Sequence, residues 1–283
     1  MARLFTAFLF KLRKDATFKV TLIVGVGVAI FMCLLYALID ATNELPYTAF
    51  TGHTMLINSL SPVQNFGFAI PINLISFICL EFTQGTIRNK IVAGNSKFKI
   101  YASLFLSGLV LSFALIIAYA AICTGIGAIF GGFDLSKEAL VNLSYPAVVD
   151  AKFILETLLI YALIYIFTTS FAVFSATTFR VVGPCIPIVT VTLMLAYFGG
   201  FIASGALTDN DLALNILRFV DPLFAPIGAT MEYVFDPENP EVIIGTVASY
   251  DNLTIVGNIV STTFFSAAFF VAGAVEFVKR DVK

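Results

Sequence analysis

The chain has 283 residues, of which 59% are hydrophobic and only 12% charged, and its mean hydropathy is +0.96. That balance excludes an ordinary soluble domain, which keeps about a quarter of its residues charged. A net charge of −2 conceals a strong segregation of basic from acidic residues along the chain, and that segregation carries more information than the total.

Leu4, Phe5, Phe8, Leu9 and Leu12 recur at helical spacing, with Lys11, Arg13 and Lys14 among them. Residues 1–19 therefore read as a helix lying in the headgroup layer. Six apolar runs follow, at about 20–39, 62–80, 100–133, 153–179, 181–207 and 253–275. Each is long enough to cross a bilayer as a helix, and no alternating pattern of barrel strands competes, so an all-α integral membrane protein with six transmembrane helices is expected. The run 20–39 is longer than the apolar region of a secretory signal and no small-x-small cleavage site follows it, so it reads as an uncleaved span. The third run, at about 1.5 Å per residue, exceeds the ~30 Å hydrocarbon core and must tilt, kink or project.

With both termini cytoplasmic, 13 of the 16 Lys and Arg fall inside and 13 of the 18 Asp and Glu fall outside. The positive-inside rule selects that orientation. The outer segment 208–252 mixes acids with apolar stretches such as "LALNILRFVDPLFAPIG". It is too apolar for a solvated tether, so short helices dipping into the outer leaflet or covering the mouth of the bundle are expected. The four cysteines, Cys33, Cys79, Cys123 and Cys185, lie in or at the ends of apolar runs and read as packing residues. The single His, His53, falls in the first outer loop, where a lone imidazole is solvated or hydrogen-bonded and makes no metal site.

Catalytic equipment is missing from the sequence. No Gly-x-x-x-x-Gly-Lys-Ser/Thr cradle, Gly-x-Ser-x-Gly or His-Glu-x-x-His occurs, and Glu156 stands only near the start of its span. The chain is not read as an enzyme, and it supplies no buried mid-membrane acid for ion coupling.

One cytoplasmic segment breaks the apolar pattern: "EFTQGTIRNKIVAG", Glu81 to Gly94. Thr83 or Thr86 can N-cap a short helix over 83–94, Ile87 and Ile91 share a face at i, i+4, Arg88 and Lys90 project elsewhere, and Gly94 supplies a stop. Ser96 caps the next helix, with Lys97 and Lys99 at the headgroups. Glu81 ends a helix where the macrodipole disfavours an anion, so it needs a partner such as Arg88, Lys90 or a residue of another subunit.

Glu81, Gly85-Thr86-Ile87-Arg88-Asn89-Lys90, Gly94 and Lys99-Ile100-Tyr101 resemble the signature of the type-2 ABC transporter permease family, departing from it at Asn95-Ser96-Lys97. The resemblance extends to the interfacial helix, the six spans and the enlarged outer region between the fifth and sixth. It implies one permease domain over 1–283, a type-2 ABC exporter-like fold, and pairing with a second permease subunit, identical or related. It also implies two copies of a cytosolic ATP-binding subunit, on which ATP and Mg would sit, this chain holding no cofactor of its own. The coupling helix 83–94 would then seat in the ATPase through Glu81, Thr83, Gly85, Thr86, Ile87, Arg88, Asn89, Lys90, Ile91 and Gly94. The lipid bilayer is the other expected partner; nucleic acid is not.

Asn65, Ala69, Asn73 and Ser76 follow one face of the second span, with Pro71 expected to bend it. These polar groups either line a cargo path between two permease subunits or hold helices together. Thr168, Thr169 and Ser170 can bond back to their own helix. Gly127 and Gly131 form a small-xxx-small pair that suits close helix packing. Pro184 and Pro187 open the fifth span. A different class, a non-transporting immunity or sensor protein binding a peptide through its outer loop, fits the same acidic outer segment.

Overall fold

A computed structural model describes residues 2–14, 16–42, 50–61, 69–133, 138–141, 145–148, 150–206, 211–223, 229–235 and 243–280. In a hydrocarbon environment every backbone N–H and C=O must bond within the chain, and the long apolar runs do so as helices. The helices α1 (Ala2–Lys14), α2 (Ala16–Thr42), α3 (Gly52–Leu60), α4 (Ala69–Thr83), α5 (Thr86–Val92) and α6 (Lys97–Gly131) form the first half. Strands β1 (Glu138–Val141) and β2 (Tyr145–Val148) precede α7 (Ala151–Phe179), α8 (Val182–Ala206) and α9 (Asp211–Val220). Strands β3 (Ala229–Phe235) and β4 (Ile243–Tyr250) then lead into α10 (Asn252–Lys279).

Among the described residues five helices, α2, α6, α7, α8 and α10, are long and apolar enough to cross a membrane, and the bent pair α4–α5 is a sixth when taken as one span. The chain is therefore a multi-pass helical membrane protein. α1 ends at Lys14 and α2 begins at Ala16, so the helix expected over 1–19 covers 2–14 and residues 16–19 continue into the helix of the first span. α7 is the hub, with 67% of its apolar window buried, while α2 and α8 keep only 22% buried and turn Ile23, Leu34, Leu195 and Ile202 outward. An apolar outer belt of this kind is what lipid contact requires.

Several hydroxyls inside the bundle are satisfied locally. Ser103 and Ser107 donate to the carbonyls of Lys99 and Ser103 at 2.7 Å, and Thr168 and Ser170 bond back to Tyr165 and Ile166. Thr169 instead reaches across to Ser112 of α6 at 2.8 Å, tying two helices at a fully buried point. The four cysteines are free and buried, as their packing role predicts.

Between the first two spans the sequence suggests a loop, yet residues 52–60 form a buried helix. Thr51 caps α3 by accepting from the Thr54 N–H, and His53 is fully buried within it, 3.4 Å from the Thr51 hydroxyl and edge-on to Phe133. The loop position expected for His53 is thus corrected. α3 fits because α6 offers it a smooth face: a Cβ on Gly131 would overlap the Phe50 carbonyl oxygen, and one on Gly127 would stand 2.7 Å from Met55. The Gly52 N–H bonds the Gly132 carbonyl at 2.8 Å, so the small-xxx-small pair seats α3 of the same chain.

At this end of the bundle a four-stranded sheet, ordered β1-β2-β4-β3, joins the segment before α7 to the one before α10. β1 and β2 are antiparallel, β2 meets β4 in parallel at Val148 and Val247, and β3 runs antiparallel to β4 from Ala229 opposite Tyr250. The expectation of short helices over 208–252 holds for α9 and gives way to strands afterwards, where the β-branched and aromatic residues of "IIGTVASY" favour a pleated surface. α9 is pinned to the start of α10 by Arg218, which pairs with Asp251 at 2.8 Å and bonds Asn215 at 3.1 Å.

Just beyond α9, Asp221 is buried, and burial pushes its carboxyl up to about 6, partly offset by the Leu223 N–H that it accepts at 2.9 Å. Between the ordinary value of 3.8 and about 6 the folded chain holds a proton that the unfolded chain has lost. Stability therefore falls as pH rises through that window. Asp221→Asn is expected to abolish the dependence and to raise stability at pH 7 by on the order of 2 kcal/mol. Melting temperatures of both proteins from pH 4 to pH 8 check this, the curves converging toward the acid end.

Candidate functional site

The end of the bundle opposite the sheet carries the segment singled out by its sequence. α4 stops where Gly85 takes φ +67°, a left-handed conformation glycine adopts without steric cost, and the axis turns by 59° into α5. The bend thus falls at Gln84–Gly85; Pro71, expected to kink the span, stands in the first described turn of α4. Neither threonine caps α5. Thr83 donates to the Cys79 carbonyl inside α4, and Gly85 occupies the cap position without a side-chain bond. α5 itself covers Thr86–Val92, shorter than the 83–94 expected. Ile87 is fully buried and Ile91 half-buried on one face, while Arg88 and Asn89 are exposed. Gly94 closes the segment at φ +84°, its N–H bonded to Ile91, and Ser96 caps α6 by accepting from the Lys99 N–H.

Glu81 is the centre of this joint and is fully buried. Its Oε1 lies 2.5 Å from Lys11 Nζ of α1, and its Oε2 lies 2.8 Å from Lys90 Nζ of α5 and 2.6 Å from the Thr86 hydroxyl. Lys90 also sits 3.3 Å over the Phe8 ring, and Lys11 donates to Gln84 Oε1 at 2.9 Å. One carboxylate therefore ties three helices together at the point where α4 turns. Charge-assisted bonds of this kind are strong when buried and leave the carboxylate no free geometry.

Of the partners the sequence offers Glu81 within this chain, Lys90 is the one that pairs with it, while Arg88 is exposed to solvent. The sequence reading missed Lys11, Phe8 and Gln84. A signal was present: Lys11 continues the stripe Leu4–Phe8 at i+4 and i+7, and a lysine on the buried stripe of an amphipathic helix needs an anion.

Neighbouring chain ends complete the surface. The guanidinium of Arg180, at the α7–α8 turn, lies 5.3 Å from the centroid of the Phe82 ring, and burial together with nearby Arg280 holds it below its usual value. Arg280 donates to the Thr178 carbonyl at 2.7 Å, the Thr178 hydroxyl to Glu276 at 2.7 Å, and Lys97 caps the last carbonyls of α10 at Val278 and Arg280. α1, the end of α4 and the start of α6 thus pack against α5 as the base of a small exposed ridge, and Phe277 of α10 and Arg180 at the α7–α8 turn close against Phe82 at the end of α4.

Of the second set of candidates, Asn65 lies outside the described residues. Ala69, Asn73 and Ser76 share a half-buried face of α4. Asn73 donates to the Ala69 carbonyl at 3.1 Å and accepts from the Thr21 hydroxyl of α2 at 2.5 Å, while Ser76 bonds the Ile72 carbonyl. Asn73 therefore holds α2 to α4. Comparison of the chain with family models, with curated proteins and with solved structures returned no match.

Proposed function

We propose that this chain is the permease subunit of an ATP-driven ABC exporter, powered by a separate ATP-binding subunit. Residues 1–283 would form one permease domain with both termini in the cytoplasm of a cell membrane. The observation that carries the reading is the joint at Glu81: a seven-residue helix, exposed on Arg88 and Asn89, is fixed by buried ionic contacts to two further helices. Such a ridge has no catalytic chemistry, and a lipid-binding loop needs no buried carboxylate at its root. Its geometry suits a part that is pushed by another polypeptide and passes the displacement on without deforming. Movement of α5 would rock α4 and α1 together, opening a path between two permease subunits alternately to either side. The apolar bundle favours an amphipathic or hydrophobic cargo, such as a peptide, drug-like molecule or lipid.

The test uses the chain co-expressed with a candidate ATP-binding subunit carrying a P-loop. Arg88→Glu reverses the exposed charge without touching the Glu81 contacts. It is expected to leave the melting temperature unchanged and to reduce cargo-stimulated ATP turnover at least tenfold, about 1.4 kcal/mol of coupling. Unchanged turnover in a stable, co-purifying complex overturns the assignment.

A further inference from the structure

α7 and α10 are parallel and in register along their whole length. Phe153 stacks on Tyr250 at 4.9 Å, Phe171 meets Phe269 at 4.9 Å, and the Thr178 hydroxyl bonds Glu276 at 2.7 Å, so each α7 residue lies level with the one 97 or 98 positions later. That offset sets Thr157 level with Thr254 and Tyr161 level with Asn258. Helical spacing puts Thr157 and Tyr161 on the stripe of Phe153 and Phe171, and Thr254 and Asn258 on the stripe of Phe265 and Phe269. Both stripes face the seam.

The seam changes character along its length. Toward the basic end it is a dry aromatic zip of Phe167, Phe171, Phe265 and Phe269. Toward the sheet end it is polar and more deeply buried, Thr157, Thr254 and Asn258 each being 1% exposed. Yet Thr157 Oγ1, Thr254 Oγ1 and Asn258 Oδ1 have no hydrogen-bond partner among the described residues, although the Asn258 amide donates to the Pro222 carbonyl at 3.1 Å. Tyr161, level with Asn258 in the same register, is fully buried too, its hydroxyl having Ser61 and Tyr250 as neighbours. Three orphaned polar atoms within one helical turn of one seam are costly unless something bonds them. Hydroxyls both donate and accept and an amide oxygen accepts, none is charged, and the ligand that matches such a set is water.

The geometry points to a buried cluster of water molecules built into the α7–α10 seam at its sheet end, held by Thr157, Thr254 and Asn258 with Tyr161 beside it. A hydrated half-seam above an aromatic one parts from the wet side, because separating groups already bonded to water exposes no dry polar surface. That opening role rests on the transport reading; the water does not.

Radiolytic hydroxyl-radical footprinting of the purified protein in lipid nanodiscs tests it, because radicals form from bound water in place. Tyr161 is expected to be oxidised despite its burial while Phe171 stays unmodified, and Thr157→Val with Thr254→Val is expected to reduce Tyr161 oxidation to the level of Phe171. An unmodified Tyr161 in the wild-type protein overturns the proposal without recourse to any variant. Oxidation that persists undiminished in the double variant overturns it too. Neither readout involves ATP turnover, so a failure here is distinct from a failure of the Arg88→Glu test.

Discussion

Glu81→Ala is expected to lower the stability of the chain by about 3 kcal/mol, the lower part of the range for breaking a buried ion pair by removing one partner. The carboxylate is fully buried, whereas its partners Lys11 and Lys90 keep 34% and 20% of their side-chain surface. After truncation each ammonium can swing toward water, which limits the loss, but Thr86 and the root of α5 lose their shared acceptor. Lys11→Met removes only one of two cations and keeps an apolar stem against the same surface, so about 1 kcal/mol is expected. Melting of the two variants in the same detergent decides the point. Equal losses would mean that Glu81 is held by α1 alone, and no loss in Glu81→Ala would mean that the joint is not built around it. In Glu81→Ala, α5 should also become accessible to protease at Arg88 and Lys90, because its anchoring contacts run through this one group.

Gly131→Ala is expected to cost about 3 kcal/mol or more, at or beyond the upper end of ordinary overpacking. The added Cβ would overlap the Phe50 carbonyl oxygen and lie 3.0 Å from Thr51 Cα, both backbone atoms that no side-chain rotation can clear. α3 must then lift away from α6, carrying the buried His53 and Thr54 with it. Gly125 stands earlier in the same helix with nothing within 4 Å of a Cβ, and Gly125→Ala is expected to stabilise the helix by about 0.5–1 kcal/mol. The pair isolates packing from helix propensity. A similar response at both positions would show that α3 is not seated on this face.

The membrane class and the positions of the apolar helices were legible in the sequence because bilayer thickness and backbone satisfaction leave an apolar run few alternatives. α6, α7 and α10 coincide with their predicted runs to within a few residues, starting slightly earlier where flanking polar residues can continue the helix. The short helix α5 was legible too, through Ile87 and Gly94, whose apolar or conformational requirements are local. The contact that anchors it was not: Lys11 is far from Glu81 in the chain, and its meaning depends on which helix face is buried. The same limit explains α3. Residues 52–60 lack the length of a span, and they become helical and buried only because Gly127 and Gly131 clear a place for them.

Taken by itself, the sequence determined the solvent in which this protein folds, the placement of its long apolar helices and the existence of one short helix between two of them, because each follows from hydrophobic length, charge placement or the freedom of a glycine. Tertiary structure alone decided which charges neutralise Glu81, that Asn73 binds α2, that the segments preceding α7 and α10 join in a sheet, and that one seam is aromatic at one end and polar at the other. Those outcomes depend on pairings between distant segments, where burial changes the energy of a polar or charged group far more than its own neighbours in the chain can.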